Sequence, residues 1–207
     1  MKAIRPTPGN HEHSSFGASA YYDYFGKSAG SPQKGYYSYT AGDWHVVALN
    51  SEIAVNTQFT DAERLAQLEW LLADLKANPK KCTLAYWHHP RFSSGWHGSD
   101  PHLAAFWAVL YDGGVDLVLA GHDHDYERLE PLSPAGAVDT ARGIVQLVAG
   151  TGGGELRGFR RTALPGSAYR LAGIFGVLKL TLGTEEWRSA FLTVDGRVMD
   201  PHGGRCH

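Results

Sequence analysis

Trp87-His88-His89-Pro90 and Gly121-His122-Asp123-His124-Asp125-Tyr126-Glu127-Arg128 each place imidazoles directly after an apolar run. Neutral imidazole is the commonest metal ligand near neutral pH. An H-x-H string leaving a strand can aim His122 and His124 at one locus, and Gly121 lets the backbone turn tightly there. Taken alone, H-x-H also describes a pair of surface histidines. His88 and His89 compete for one role, because neighbouring side chains leave a strand in different directions. Gly9-Asn10-His11-Glu12 adds an amide oxygen that can ligate a metal and a histidine suited to general acid chemistry. By itself this tetrapeptide also reads as an ordinary turn. His97 follows in a Ser- and Gly-rich stretch, where a solvent-exposed loop histidine is the plain alternative.

The elements that must position these groups alternate between strand and helix. Residues 1–35 are rich in Gly, Ser, Pro and Tyr and read as a long surface loop with a short helix near Ala20 to Phe25. Tyr36 to Thr40 and Trp44 to Asn50 read as two strands joined at Ala41-Gly42, the second continuous enough to be buried on both faces. Thr60-Asp61-Ala62-Glu63 spells a capping box, and Leu65, Leu68, Leu71, Leu72 and Leu75 recur at helical spacing until Asn78-Pro79. Cys82 to Trp87 is a strand ending at His88. Asp100-Pro101 opens a second helix that Gly113-Gly114 stops. Val115 to Ala120 is a strand ending at Gly121-His122. From Gly143 onward, Ile144 to Ala149, Gly176 to Leu182, Ser189 to Val194 and a segment near Val198 read as strands. The alternation predicts a layered α/β domain spanning residues 1–207 as a single unit, with no repeat and no linker. Ligands of such sheets bind beyond the C-terminal strand ends, where His88 and His122 fall.

Composition narrows the partners. The chain has 207 residues, 43% hydrophobic and 19% charged, with a net charge of -2, so no basic patch argues for nucleic acid or a membrane surface. No apolar run reaches the roughly 18 residues of a membrane span. Met1-Lys2-Ala3-Ile4-Arg5-Pro6 lacks the apolar stretch of a signal peptide. Cys82 and Cys206 are too few for a disulfide framework, and they read either as free thiols or as one bridge tying down the tail.

In order along the chain, Gly9-Asn10-His11-Glu12, His88-His89-Pro90 and Gly121-His122-Asp123-His124 resemble the later signature blocks of the calcineurin-like metallophosphoesterases. The extension Asp125-Tyr126-Glu127-Arg128 resembles the purple acid phosphatase-like branch, and the tail looks like the C-terminus of bacterial members. The resemblance implies a layered α/β/β/α sandwich. It implies hydrolysis of small-molecule or protein phosphate esters through a metal-activated water at a dinuclear site of Zn, Fe or Mn. It assigns Asn10, His88 and His122 to one metal and His124 to the other. His11 and His97 then face the substrate phosphate, with His11 helping to protonate the leaving alkoxide, and His89 is structural. A secreted or periplasmic location is implied for the complete protein, where Cys82 and Cys206 could pair.

Two earlier blocks of that family, D-x-[HG] and G-D-x-x, have no counterpart in the eight residues before Gly9. Gly42-Asp43-Trp44-His45 spells both fragments, but Asp43 opens its strand and so belongs at the wrong sheet edge. The expectation is therefore an N-terminally truncated piece of a longer protein, lacking strands of the sheet and the carboxylates that would bridge two ions. Three neutral ligands still suit a single zinc. The alternative to an enzyme is thus a non-catalytic fragment binding one metal ion or none.

Overall fold

The computed structural model describes residues 4–32, 34–160 and 162–207. Met1, Lys2, Ala3 and Gln33, part of the segment read as a loop, lie outside the described residues. The elements are α1 (Ser19–Phe25), β1 (Tyr37–Ala41), β2 (Trp44–Ala48), α2 (Glu52–Val55), α3 (Asp61–Ala77), β3 (Cys82–Tyr86), α4 (Ala104–Asp112), β4 (Leu117–Ala120), β5 (Tyr126–Leu129), β6 (Val145–Ala149), β7 (Ser167–Leu171), β8 (Gly176–Leu182), β9 (Glu186–Thr193) and β10 (Val198–Arg205). The N-terminal segment holds more structure than its composition suggests: α1 is flanked by short 3-10 turns at Glu12–Ser14, Phe16–Ala18 and Gly26–Ala29.

Seven strands form one sheet in the order β1-β2-β3-β4-β6-β5-β7, and β10-β9-β8 form a second. Within the first sheet β2, β3, β4 and β6 run parallel, while β1, β5 and β7 pair antiparallel with their neighbours. Period-two alternation divides the side chains of the parallel strands between two cores. Val47, Leu49, Ala85, Trp87 and Val118 point to α3 and α4, where they meet Leu71, Leu103, Phe106, Trp107 and Leu110. Val46, Leu84 and Leu117 point to the second sheet, where they meet Trp187, Leu180 and Leu182. Each of the fully buried leucines contributes roughly 1.5–3 kcal/mol of transfer free energy. The continuous apolar runs of β2, β3 and β4 follow from this double burial, because neither face is left to water.

The helix signals hold locally. Thr60 accepts the Glu63 amide and the Glu63 carboxylate accepts the Thr60 amide at 2.8 Å, so the expected capping box starts α3. Asn78 ends that helix as its C-cap. Two strands were not evident from patterning. β5 is the Tyr126–Leu129 string itself, and β7 has weak alternation because only one of its edges is paired, to β5. The described residues thus give helix, sheet and sheet layers.

Cys82 and Cys206 form a disulfide with Cα atoms 5.3 Å apart, which resolves the alternative left open by sequence. It fastens the tail to the start of β3. Beside it, the Asp116 carboxylate accepts the backbone amides of Thr83 at 2.8 Å and His207 at 2.9 Å. Asp43 lies in the turn between β1 and β2, on this same edge, since Trp44 is in register with Cys82.

Candidate metal centre

Three adjacent parallel strands end in polar residues at the opposite edge. β2 leads to Asn50 and Ser51, β3 to His88 and His89, and β4 to His122. A fourth, β6, leads to the loop Gly150–Gly154. The Gly121 amide donates to the His88 carbonyl at 2.9 Å, which extends the β3–β4 pairing past the strands and sets the two histidines side by side. His122 has φ of 63°, in the left-handed region that a non-glycine residue adopts at some cost. That turn brings its Nδ1 to 3.1 Å from His88 Nε2.

Asn10 completes this contact. Its Oδ1 lies 2.8 Å from the same His88 Nε2. The loop bearing it is pinned by the Gly9 amide donating to the Glu12 carboxylate at 2.8 Å. Gly9 is required here, because a Cβ would sit 2.6 Å from the His88 ring. Three lone pairs, on His88 Nε2, His122 Nδ1 and Asn10 Oδ1, therefore converge on a space that a single imidazole proton can serve only in part. This donor set fits a divalent cation held by neutral ligands. Burial, and then the charges of His11, His124 and His97, push the His88 imidazole down to about 4. Burial, and then His88 and His97, push His122 to about 4 as well. Both rings are thus neutral, as ligation requires.

His89 lies in the same cluster: His88, His89 and His122 can each bring one ring nitrogen within 4.8 Å of the others. Its hydrogen bonds nevertheless mark it as a support. Ser51 Oγ accepts the His89 backbone amide at 3.1 Å and lies 3.0 Å from His89 Nδ1. The hydroxyl therefore donates to Nδ1, and the Nε2 proton faces the Glu52 carboxylate at 3.4 Å. Nδ1 is thus engaged while Nε2 only approaches Glu52, and the ring packs at 4.3 Å, centroid to centroid, against His122. Ser51 and Glu52 were missed in the sequence. The signal was available, since β2 also runs from an apolar stretch into polar residues, but no histidine stands among them.

His97 packs its ring 4.2 Å from that of His122, so the loop after β3 does deliver it to the cluster. Asp123, between the two histidines of the H-x-H string, holds that loop. Its buried carboxylate accepts the His97 amide at 2.7 Å, the Gly98 amide at 3.3 Å and the Ser93 hydroxyl. Arg157 donates to His97 Nε2 at 2.9 Å. Burial lowers the proton affinity of His97, the Asp123 charge opposes this, and Arg157, His124 and Arg160 lower it further. His124 stands beside the cluster, its Nδ1 bonded to the Glu155 carbonyl, which leaves Nε2 as its available nitrogen. His11 is exposed, at a range where its charge acts on His88.

The rest of the string after His124 is structural. Tyr126 and Arg128 both bond Asp200 of the second sheet, at 2.9 Å and 2.8 Å. Glu127 accepts from Ser94 and Ser167, and so braces the His97 loop from below. Burial, then the charges of Asp123 and Glu127, push the Asp125 carboxyl up to about 8, so it is protonated at neutral pH.

Imidazoles gathered at the C-terminal ends of a mixed α/β sheet, backed by a second sheet, define an α/β/β domain whose histidine cluster could hold a metal ion. The family profile described as calcineurin-like phosphoesterase matches residues 2–126, more than half of the chain, and the chain belongs to that family. It is 33% identical over 184 residues to an uncharacterised protein of Mycobacterium tuberculosis, covering 72% of this chain and 35% of that protein. It is 30% identical over 171 residues to purple acid phosphatase 18 of Arabidopsis thaliana, covering 74% and 37%. The chain thus spans about a third of the length of the curated relatives it matches. Purple acid phosphatase PPD1 of yellow lupin superposes with a TM-score of 0.68 at 21% identity, over 84% of this chain and 33% of the other, a likeness of fold.

Proposed function

We propose that this chain carries the metal-binding half of a phosphomonoesterase-type site, acting on small-molecule or protein phosphate esters. The observation that carries the reading is the convergence of His88 Nε2, His122 Nδ1 and Asn10 Oδ1, with no carboxylate bonded to these atoms among the described residues. Asn10, His88 and His122 would hold one cation, and His124, through its Nε2, would serve a second. When bound, the metal supplies Lewis acidity toward a phosphate oxygen and activation of water. His97, anchored by Asp123, orients the phosphate. His11, exposed and close to His88, donates the proton that the departing alkoxide needs. His89, locked by Ser51 and Glu52, keeps the His122 ring in place. Whether zinc, iron or manganese is the working ion, neutral nitrogen and amide-oxygen donors accommodate each. The Cys82–Cys206 bridge supports function in an oxidising compartment, secreted or periplasmic.

A second reading is favoured by the all-imidazole cluster, which suits one ion better than a close pair whose repulsion no bridging carboxylate offsets. It describes a binder of a single metal without turnover. Metal content together with p-nitrophenyl phosphate hydrolysis separates the two. Two equivalents with turnover support the dinuclear enzyme, whereas one equivalent without turnover supports the single-ion binder.

A further inference from the structure

Next to His97, away from the imidazole cluster, a groove of about 400 Å³ is lined by Trp96, Glu155, Leu156, Arg157 and Gly158. It shares a wall with the metal centre. The Glu155 carbonyl accepts from His124 Nδ1, and the Arg157 amide donates to the His124 carbonyl at 3.2 Å, so this segment is stitched to His124 from two sides. One guanidinium, that of Arg157, lines the groove, and a second, that of Arg160, lies on the ring of Trp96, which forms part of its wall. Arg157 reaches His97 at 2.9 Å, and the guanidinium carbon of Arg160 lies 3.1 Å from the centre of the Trp96 ring. Neither is among the ion pairs formed by the described residues. Among the described residues Glu155 is the acidic residue lining the groove, two positions before Arg157.

This arrangement discriminates among leaving groups. A phosphoryl group at the imidazole cluster meets His97, and whatever is esterified to it extends toward a neighbouring surface. An aromatic leaving group finds one face of Trp96 already covered by Arg160. An anionic leaving group gains charge-assisted, fork-shaped hydrogen bonds from guanidinium groups that otherwise rest on a neutral imidazole and an aromatic face. We propose that Trp96, Arg157 and Arg160 form a second anion subsite. It selects phosphate esters or anhydrides whose leaving group carries a further phosphate. The proposal rests on the phosphoesterase reading of the adjacent site and names its substrate class. In it, Arg157 serves both subsites, because it touches His97, whereas Arg160 serves only the second.

Calorimetry on the full, zinc-loaded chain tests this with two non-hydrolysable probes, methylphosphonate and methylenediphosphonate. Losing one charge-assisted contact is worth about tenfold in affinity. The expected result is that Arg160→Gln weakens the diphosphonate by about tenfold and leaves methylphosphonate within about twofold, with Arg160→Lys recovering part of the loss. Arg157→Gln should weaken both probes. Chelation of the metal by the diphosphonate acts equally on wild type and Arg160→Gln, so it cancels in the comparison. Equal losses on both probes, no loss on the diphosphonate, or binding of neither probe would overturn the subsite. Turnover of p-nitrophenyl phosphate by the same preparations reports separately on the underlying function. Selective loss without turnover keeps the subsite and removes the phosphoesterase reading; turnover without selective loss does the reverse.

Discussion

The two edges of the main sheet both carry histidines, and they treat them in opposite ways. At the N-terminal edge, His45 is buried and paired with Asp74 at 2.6 Å, and Ser38 donates to the same carboxylate at 2.6 Å. His207 lies 3.2 Å from Asp116, whose carboxylate also accepts two backbone amides. Both carboxylates there accept from more than one donor, and the disulfide locks the edge covalently. At the C-terminal edge, His88 and His122 face each other and an amide oxygen, with no acid bonded to those nitrogens among the described residues. A histidine with a carboxylate partner is finished as a structural element. Histidines whose lone pairs converge need something more, and the backbone is bent at His122 to make them converge.

The sharpest way to break this contrast is to remove one histidine from each edge. His122→Ala or His88→Ala should weaken zinc binding by more than about 100-fold, exceeding the 10–100-fold typical of losing an outer partner. Isothermal titration with a competing chelator reads this directly. Wild-type affinity in His122→Ala would mean that the cluster is not a metal centre. The same titration on His45→Ala should show no change.

The covalent lock gives the next largest effect, on stability alone. Cys206→Ser should cost about 2–4 kcal/mol, since the bridge spans a sequence separation of 124 residues. Urea unfolding measures the loss, and metal content should stay constant. A fall in zinc affinity as large as that of His122→Ala would show that the edges are coupled. His45→Ala follows at roughly 1–3 kcal/mol, the cost of leaving buried polar partners unsatisfied. It too should be visible in unfolding and silent in metal content.

The edges should also differ in acid. In the metal-free protein the folded pKa values of His88 and His122 are about 4, below the ordinary 6.5 of an unfolded chain. The unfolded state therefore takes up protons first as pH falls. The stability these neutral rings confer is complete above 6.5, declines between 6.5 and 4, and levels off once the folded rings protonate. The thermal midpoint should be lower at pH 5 than at pH 7, and His122→Asn should flatten that slope. A midpoint unchanged between the two pH values would contradict burial as the cause.

The smallest effect concerns fit. A Cβ on Gly154 would lie 2.7 Å from the His124 ring. Tilting that ring off its rotamer costs about 0.5–1.5 kcal/mol, so Gly154→Ala should weaken the second metal equivalent by up to about tenfold and leave Tm unchanged. Loss of the first equivalent instead would place His124 in the Asn10–His88–His122 set.

Much of this was legible without coordinates, for identifiable reasons. The strands ending at His88 and His122 are continuous apolar runs because both faces are covered, and the Thr60–Glu63 capping box is a purely local device. Placement of Asp43 at the wrong edge followed from its position at the start of a strand, and the parallel register agrees. By contrast, β5 was hidden because its residues are polar. Tyr126, Glu127 and Arg128 are buried only because Asp200, Ser94 and Ser167 arrive from distant segments to satisfy them.

Sequence by itself determined which donor atoms this protein owns and which end of the sheet receives them. Strand direction and periodicity are properties of neighbouring residues, so they can be read along the chain. Tertiary structure alone decided what each imidazole does. His89 became a brace when Ser51 took its Nδ1 and Glu52 came up beside its Nε2, and His97 became part of the cluster when Asp123 caught its loop. Cys206 found Cys82 because β9 and β10 return the tail to the start of β3. The role of a histidine depends on what its two nitrogens face, and those partners come from segments tens of residues away.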